Sequence, residues 1–310
     1  MSDSPTFSFL LPTYRRIGAL AVTLDHLAPF ASDDCEIVVI DDCSPEDDVE
    51  RLCKARGFPK YHKLPRNLGT TGARNVGYSL MKGRFLISLD DDSYPITPDF
   101  LNAVKSVFAA HPAAGALALN ILTPDGSYSI PPRSKAVQGA CYIGCGAVWT
   151  RGLYERIGAY TPVIMWQGEE MEHSMRIIGA GLQVINCPDI VIKHDESVLN
   201  RNVGVRVAHD VANSLKRGIL RAPWPLIPLE ILRFLAVLAL RFPGLDRGVL
   251  WAELTHGERG IVQAIKLREP VSMASYNHFY ALRRNDWHNT FLGRLLGAKA
   301  PMAAARPAEA

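Results

Sequence analysis

Short apolar runs alternate with amphipathic stretches through the first half of the chain. Runs at residues 7–11, 36–40 and 84–89 each stop at polar side chains, namely Pro12-Thr13-Tyr14, Asp41-Asp42 and Asp90-Asp91-Asp92. A near-continuous apolar run suits a strand buried on both faces, as in a parallel sheet covered by helices. Helical spacing fills positions 17–29, 46–56, 71–82 and 98–111, with Ser44 or Thr97 placed to cap helices ahead of acidic first turns. The alternation predicts an α/β fold with a mostly parallel sheet flanked by helices. The polar residues that end each run then fall at the carboxyl edge of the sheet, where open α/β sheets bind ligands.

Beyond residue 112 the pattern loosens. Residues 116–122 read as a strand, Pro124-Asp125-Gly126 as a turn, 139–149 as a glycine-rich strand region, and 184–187 and 190–193 as two more strands. A helix is expected over 168–178, stopped by Gly179-Ala180-Gly181. The most apolar segment, 226–242, is broken by Glu230 and Arg233 and bracketed by Pro223, Pro225, Pro228 and Pro243. It falls short of the roughly 20 apolar residues that span a bilayer. Two placements fit it: an interfacial helix with Arg221, Arg233 and Arg241 reaching anionic headgroups, or a core or dimer helix. The chain thus divides into a first unit at 1–200, a helical region at 201–297, and an alanine- and proline-rich tail at 298–310 expected to be disordered.

Composition narrows the class. With 310 residues and 48% hydrophobic content the chain can bury a sizeable core, while 21% charged residues and a net charge of +3 give no nucleic-acid signature. The first 200 residues are net acidic and the remainder net basic. The six cysteines show neither a C-x-x-C pair nor zinc-ligand spacing, which suits a reduced compartment. The N-terminal apolar run covers only 7–11 with no basic residue before it, so it does not read as a signal peptide. A cytoplasmic protein is expected, with peripheral contact at the inner membrane face if the basic, apolar last third meets lipid.

Several clusters carry chemistry. Three adjacent carboxylates at a buried strand end, Asp90-Asp91-Asp92, repel one another unless cations or hydrogen-bond donors neutralise them, and hard oxygens favour magnesium or manganese. Asp41-Asp42 repeats the arrangement at a neighbouring strand, where a carboxylate can accept from a base N–H or a ribose hydroxyl. Arg66-Asn67-Leu68-Gly69 and Gly72-Ala73-Arg74-Asn75 surround a helix start, where backbone N–H groups and Arg74 suit phosphate. Gly168-Glu169-Glu170-Met171-Glu172-His173 places three carboxylates in one helical turn, at most two of which share a face. One of them is a candidate general base. His194-Asp195-Glu196-Ser197 follows a strand and offers an imidazole near the acidic residues.

Taken in order, Pro12-Thr13-Tyr14-Arg15-Arg16, Ile40-Asp41-Asp42-Cys43-Ser44, Arg66-Asn67-Leu68-Gly69 with Ala73-Arg74-Asn75 and Gly77, Leu89-Asp90-Asp91-Asp92 and Gly168-Glu169-Glu170-Met171-Glu172 resemble the family 2 glycosyltransferases of GT-A fold. The resemblance covers about residues 7–197. It implies that 1–200 is a nucleotide-sugar-binding and catalytic domain, and 201–297 serves acceptor, membrane-surface or dimer contacts. It implies a donor site of Pro12, Thr13, Tyr14, Arg16, Asp41, Asp42, Asn67, Gly69, Arg74, Asp90 and Asp91, with Thr13 and Asp41 or Asp42 on the base and ribose. Asp90 and Asp92 fall on the family's D-x-D motif, and with His194 they would hold Mn2+ or Mg2+. Glu170 stands where the family usually has Asp, its catalytic base, and Glu169 matches the Glu before it, so the longer side chain leaves the choice between them open. Trp166 and Gln167 would line the acceptor pocket. The implied activity is inverting, metal-dependent transfer from a UDP or dTDP sugar to a saccharide or lipid-linked hydroxyl, in cell-surface polysaccharide or glycolipid synthesis. The alternatives are a sugar-phosphate nucleotidyltransferase, against which the single glycine in residues 12–18 argues, and a non-catalytic sugar-nucleotide binding module.

Overall fold

A computed structural model describes residues 4–130, 135–195 and 202–285. The chain begins with β1 (Phe7–Thr13), α1 (Ile17–Leu27), β2 (Cys35–Asp41), α2 (Asp48–Arg56), β3 (Pro59–Lys63), α3 (Gly69–Leu80), β4 (Phe85–Ser88), β5 (Ser93–Pro95) and α4 (Phe100–Ala110). It continues through β6 (Ala114–Leu122), β7 (Val137–Gly139), β8 (Ala147–Thr150), α5 (Arg151–Ile157), α6 (Glu169–Gly179) and β9 (Gln183–His194). Five helices follow: α7 (Val203–Arg221), α8 (Ile227–Arg241), α9 (Arg247–Thr255), α10 (Ile261–Lys266) and α11 (Met273–Asn285).

The strands form one sheet in the order β3-β2-β1-β4-β8-β6-β9-β5, with β7 also on β9. The β3-β2-β1-β4 half is parallel, β8 runs antiparallel between β4 and β6, and β6 and β9 are parallel. All seven residues of β1 are buried because alternate side chains enter two different cores. Phe7, Phe9 and Leu11 pack with Leu20, Leu24, Phe100 and Val104 from α1 and α4. Leu10, between them, joins Ala73, Tyr78, Leu153 and Ile177 from α3, α5 and α6 on the opposite face.

Several local expectations are corrected. β3 and β5 give no apolar run, since one is a half-exposed edge strand and the other has three residues. Within 139–149 strand is found only at the two ends, Gly139 closing β7 and residues 147–149 opening β8, because Gly144–Gly146 forms a 3-10 turn. The two strands expected at 184–187 and 190–193 are one, accommodated by a register shift between Leu119 and Asn120. Ser44 and Thr97 cap no helix: Asp47 and Asp99 precede α2 and α4. The Ser44 hydroxyl instead accepts from Arg15 N–H at 3.0 Å, and the Thr97 hydroxyl from Val191 N–H at 2.7 Å.

The apolar segment does form a helix, α8, but not a core helix, because Glu230 is its only buried residue. Tyr276, Tyr280 and Arg233 hold that carboxylate. Leu232 is 63% exposed, and Leu235, Leu240, Trp224, Trp251, Val262 and Ile265 on and around α8–α10 are exposed as well. Among the described residues no helix is long and apolar enough to cross a membrane. The tail at 298–310, Glu196 and Ser197 lie outside the described residues.

Candidate active site

The carboxyl ends of β1, β2 and β4 and the start of α6 open on a cleft of about 1020 Å³. Past β4 the chain turns sharply, Asp90 N–H donating to the Ser93 hydroxyl at 2.8 Å, and re-enters the sheet as β5 with Ser93 opposite His194 on β9. That turn gives the three adjacent aspartates different sets of partners, with Arg16 shared by Asp91 and Asp92. Asp90 is paired with Arg74 from α3. Asp91 accepts from the Thr13 hydroxyl at 2.7 Å and pairs with Arg16 at 2.7 Å. Asp92 pairs with Arg16 and takes His194 Nε2 at 3.1 Å. Cationic and hydroxyl partners thus resolve the repulsion that the sequence poses.

The electrostatic consequences follow from burial and neighbours. Burial opposes the charge of Asp92, yet His194 and Arg16 hold it down to about 2. Burial likewise works against the His194 imidazolium, but Asp92 and Cys145 push it up to about 11. Asp91 is pushed up to about 7, chiefly by burial, with Arg16 and Thr13 countering. His194 Nε2 also stands 3.8 Å from Asp90, and its Nδ1 lies 3.7 Å from the Cys145 thiol. Ligating atoms of Asp90, Cys145 and His194 all fall within 4.8 Å of one another. Carboxylate oxygens with one imidazole fit a hard divalent ion such as Mn2+ or Mg2+. Burial raises the Cys145 thiol, which keeps it protonated and unsuited to such an ion.

The aspartate pair at the end of β2 splits by role. Asp41 is fully buried and saturated, accepting from Ser44 N–H at 2.8 Å and Tyr61 O–H at 3.0 Å. Asp42 lines the cleft and accepts from Leu68 N–H at 2.6 Å, while burial pushes it up to about 6. Asn67 donates to the Asp42 carbonyl and accepts from Gly69 N–H, and Gly69 adopts φ +71°. Asp41, Asn67 and Gly69 therefore hold the loop around Asp42 instead of facing the cleft, a correction to the direct contacts expected of them. Pro12, Thr13, Tyr14, Arg16, Arg74, Asp90 and Asp91 do line it.

The acidic turn is built at the start of α6. Gln167 (φ 67°) and Gly168 (φ 91°) are both left-handed and swing the chain into the helix. Asn213 on α7 pins that turn by donating to the carbonyls of Trp166 and Gln167 at 2.6 and 2.9 Å. Glu169, 3% exposed, lies 4.0 Å from Arg74 Nη1. Burial first, then Glu170 beside it, pushes Glu169 up to about 8. Glu170 is half-buried on the cleft wall, accepts from Gly144 N–H at 3.2 Å, and is raised by burial. Glu172 points away, fully buried against Arg176, Arg221 and Thr161. Arg74 thus joins the two acidic groups, touching Asp90 on one side and approaching Glu169 on the other.

Trp166, Gln167 and His194 line the same cleft. Sequence reasoning missed Gly144 and Cys145, which carry no motif, and Arg206, Asp210, Arg241 and Arg283 from the C-terminal helices. A Cβ on Gly144 would lie 2.7 Å from Arg74 Nη1, so the absence of a side chain there makes room for the guanidinium.

The sequence pattern of glycosyl transferase family 2 matches residues 8–164. An uncharacterized glycosyltransferase of Haemophilus influenzae is 31% identical over 106 residues, covering 34% of this chain and 35% of that protein. Poly(ribitol-phosphate) beta-N-acetylglucosaminyltransferase TarS of Staphylococcus aureus is 33% identical over 93 residues, covering 28% of this chain and 16% of that one. The alignments thus span only about a third or less of these relatives' own length. Among solved structures, the mannosyltransferase PcManGT of Pyrobaculum calidifontis, in complex with GDP-Man and Mn2+, superposes with a TM-score of 0.54 at 18% identity, over 93% of this chain and 88% of that one. At that identity the likeness speaks to the fold, which is GT-A.

Proposed function

The chain belongs to glycosyl transferase family 2, and on that premise we propose that it moves a sugar from a UDP- or dTDP-sugar to a hydroxyl of a saccharide or lipid-linked acceptor, inverting the anomeric centre. The observation that carries this reading is Arg74, which ties the Asp90 side of the cleft to the Glu169–Glu170 side. Donor phosphates and an acceptor base then face one reaction space. Residues 1–200 bind the donor and catalyse, and the helices after 201 contribute acceptor contacts.

The nucleoside lies against Pro12, Thr13 and Asp42, whose carboxylate suits a base N–H or a ribose hydroxyl. Arg16 and Arg74 face the diphosphate. Asp90, Asp92 and His194 are the residues that would hold Mn2+ or Mg2+, and this ion supplies neutralisation of the charge on the departing nucleoside diphosphate. Glu170 is the base. It stands on the open wall with Gly144 N–H fixing one oxygen, whereas Glu169 is buried beside Arg74 and positions it. As the acceptor oxygen attacks the anomeric carbon, its proton passes to Glu170, the bond to the diphosphate oxygen breaks, and the electron pair leaves with the nucleoside diphosphate. Trp166 and Gln167 bound the acceptor side.

The exposed apolar face of α8–α10 supports a peripheral position at the inner membrane surface. Arg241, which lines the cleft, follows the exposed Leu240, so that face adjoins the acceptor end. A second copy of the chain is the other candidate occupant.

The test is binding and slow hydrolysis across a panel of nucleotide sugars with manganese, comparing wild type with Asp92→Ala and Glu170→Gln. The reading stands if one donor is hydrolysed, Asp92→Ala abolishes this, and Glu170→Gln binds without turnover. Absence of any nucleotide-sugar binding overturns it.

A further inference from the structure

Beyond Glu170 the cleft continues between α7 and α11, and its charge changes sign. Arg206, Arg241 and Arg283 line this end against a single carboxylate from the C-terminal helices, Asp210. Two of the arginines have local partners: Arg206 donates to Gln167 at 3.3 Å, and Arg241 lies 3.9 Å from Asp210. Arg283 lines the wall without an ion pair among the described residues. Behind it on α7 stands Arg217, 6% exposed, close enough to Gly168 that a Cβ there would lie 3.4 Å from its Nη1. The Nε of Arg217 has no hydrogen-bond partner, and no described carboxylate reaches ion-pair distance of it. Burial, and Arg217 close by, hold the Arg283 guanidinium below its ordinary range.

A buried guanidinium facing a like charge is costly unless an anion compensates both. Asp210 also attracts Arg283, but it already lies 3.9 Å from Arg241 and one carboxylate does not neutralise three guanidiniums, so an anion from the cleft completes the compensation. Two guanidiniums suit a phosphoryl group, whose tetrahedral oxygens present acceptors in several directions and pair with arginine forks. We propose that the acceptor carries a phosphoryl group that pairs with Arg283, with the charge of Arg217 behind it, and that this contact turns a free hydroxyl of the acceptor toward Glu170. The inference rests on the transferase reading, because it is the base that makes this end the acceptor end. A polyol phosphate and a lipid-linked phosphate share the chemistry.

The experiment titrates sn-glycerol 3-phosphate, and separately phosphatidylglycerol vesicles, into the full chain with and without UDP and Mn2+, for wild type, Arg217→Gln, Arg283→Met and the exposed control Arg51→Met. Near-UV circular dichroism verifies that each variant is folded. The expected result is that Arg217→Gln and Arg283→Met each weaken binding of at least one probe about tenfold or more, as loss of a charge-assisted contact predicts, while Arg51→Met does not. A loss confined to glycerol phosphate identifies a soluble polyol phosphate, and one confined to vesicles a lipid-linked phosphate. If neither probe binds, or both bind equally in all four proteins, the phosphoryl subsite is overturned. Failure of UDP to bind sinks the transferase reading instead, since the arginine dependence is read without it.

Discussion

The Nε2 of His194 lies 3.1 Å from Oδ1 of Asp92, an ion-pair contact between the end of β9 and the turn that leads into β5. The contact exists because β5 and β9 are antiparallel neighbours with Ser93 opposite His194. It puts the imidazole beside a carboxylate from a distant part of the chain, and it leads to the first prediction. His194→Ala should lower manganese affinity by about tenfold or more, as loss of one ligand from a small set implies. EDTA should abolish donor hydrolysis and manganese restore it. Calorimetric titration that finds the same affinity in the variant removes His194 from the set.

Glu169 gives a pH signature with a definite sign. Its carboxyl stands at about 8 in the folded protein against 4.5 for the free side chain, so the native state keeps a proton that the unfolded chain releases. Stability therefore falls as pH rises from about 4.5 to about 8 and stays lower above. Glu169→Gln should match wild type in acid and exceed it above pH 8 by on the order of 1–3 kcal/mol, read by denaturant melts. Turnover in wild type should rise with pH as Glu170, held above the ordinary carboxylate range by burial, gives up its proton. In Glu169→Gln that limb should stay in place, because a protonated Glu169 is already neutral while Glu170 ionises; a limb that moves to lower pH means that Glu169 carries charge at that stage and contradicts its raised proton affinity.

Asp41 and Asp42 are adjacent but should fail differently. Asp42→Ala, on the cleft wall, should weaken nucleotide binding about tenfold with a small change in stability. Asp41→Ala strands the Ser44 N–H and the Tyr61 hydroxyl and should cost about 2–3 kcal/mol. Equal effects on nucleotide affinity and melting in the two variants would contradict the division.

Gly144→Ala places a methyl group within 2.7 Å of the Arg74 guanidinium and should lower turnover by about tenfold or more, as misplacement of a positioning charge does. Gly152→Ala, at a site in α5 with open space around the new Cβ, is the matched control and should be neutral or slightly stabilising. Comparable rates for the two variants mean that the position of Arg74 does not matter to the reaction.

For the apolar face, Leu232→Ser combined with Trp251→Ser should reduce flotation with anionic vesicles severalfold, since each replaces a large exposed hydrophobe. If flotation is unchanged and sedimentation instead finds a dimer that the same changes dissociate, the face belongs to a second copy.

The sequence made β1, β2 and β4 legible because these strands are buried on both faces and read as near-unbroken apolar runs. It made the acidic clusters legible because charge at the end of such a run is chemically costly. It did not reveal that Asp41 is saturated by Ser44 and Tyr61, since adjacent residues leave a strand on opposite faces and only the following turn decides which meets the ligand. Gly144 and Cys145 were invisible for a different reason: their role comes from where a 3-10 turn puts them, not from a side-chain pattern. The arginines of α7, α8 and α11 come together only through helix packing, so their linear spacing carries no signal.

Glu172 has a wider bearing. This carboxylate, one turn into the helix that presents Glu169 and Glu170, is neutralised from within α6 by Arg176 and from outside by Arg221 at the far end of α7. Cutting the chain before Arg221 leaves a buried anion with half its compensation, and such a loss commonly costs about 3–5 kcal/mol. The last third is thus not a cartridge that recombination can exchange freely beneath a fixed catalytic half. Any lineage that acquires a new acceptor by replacing those helices must bring along an arginine at the same place, or repair α6 in the same step.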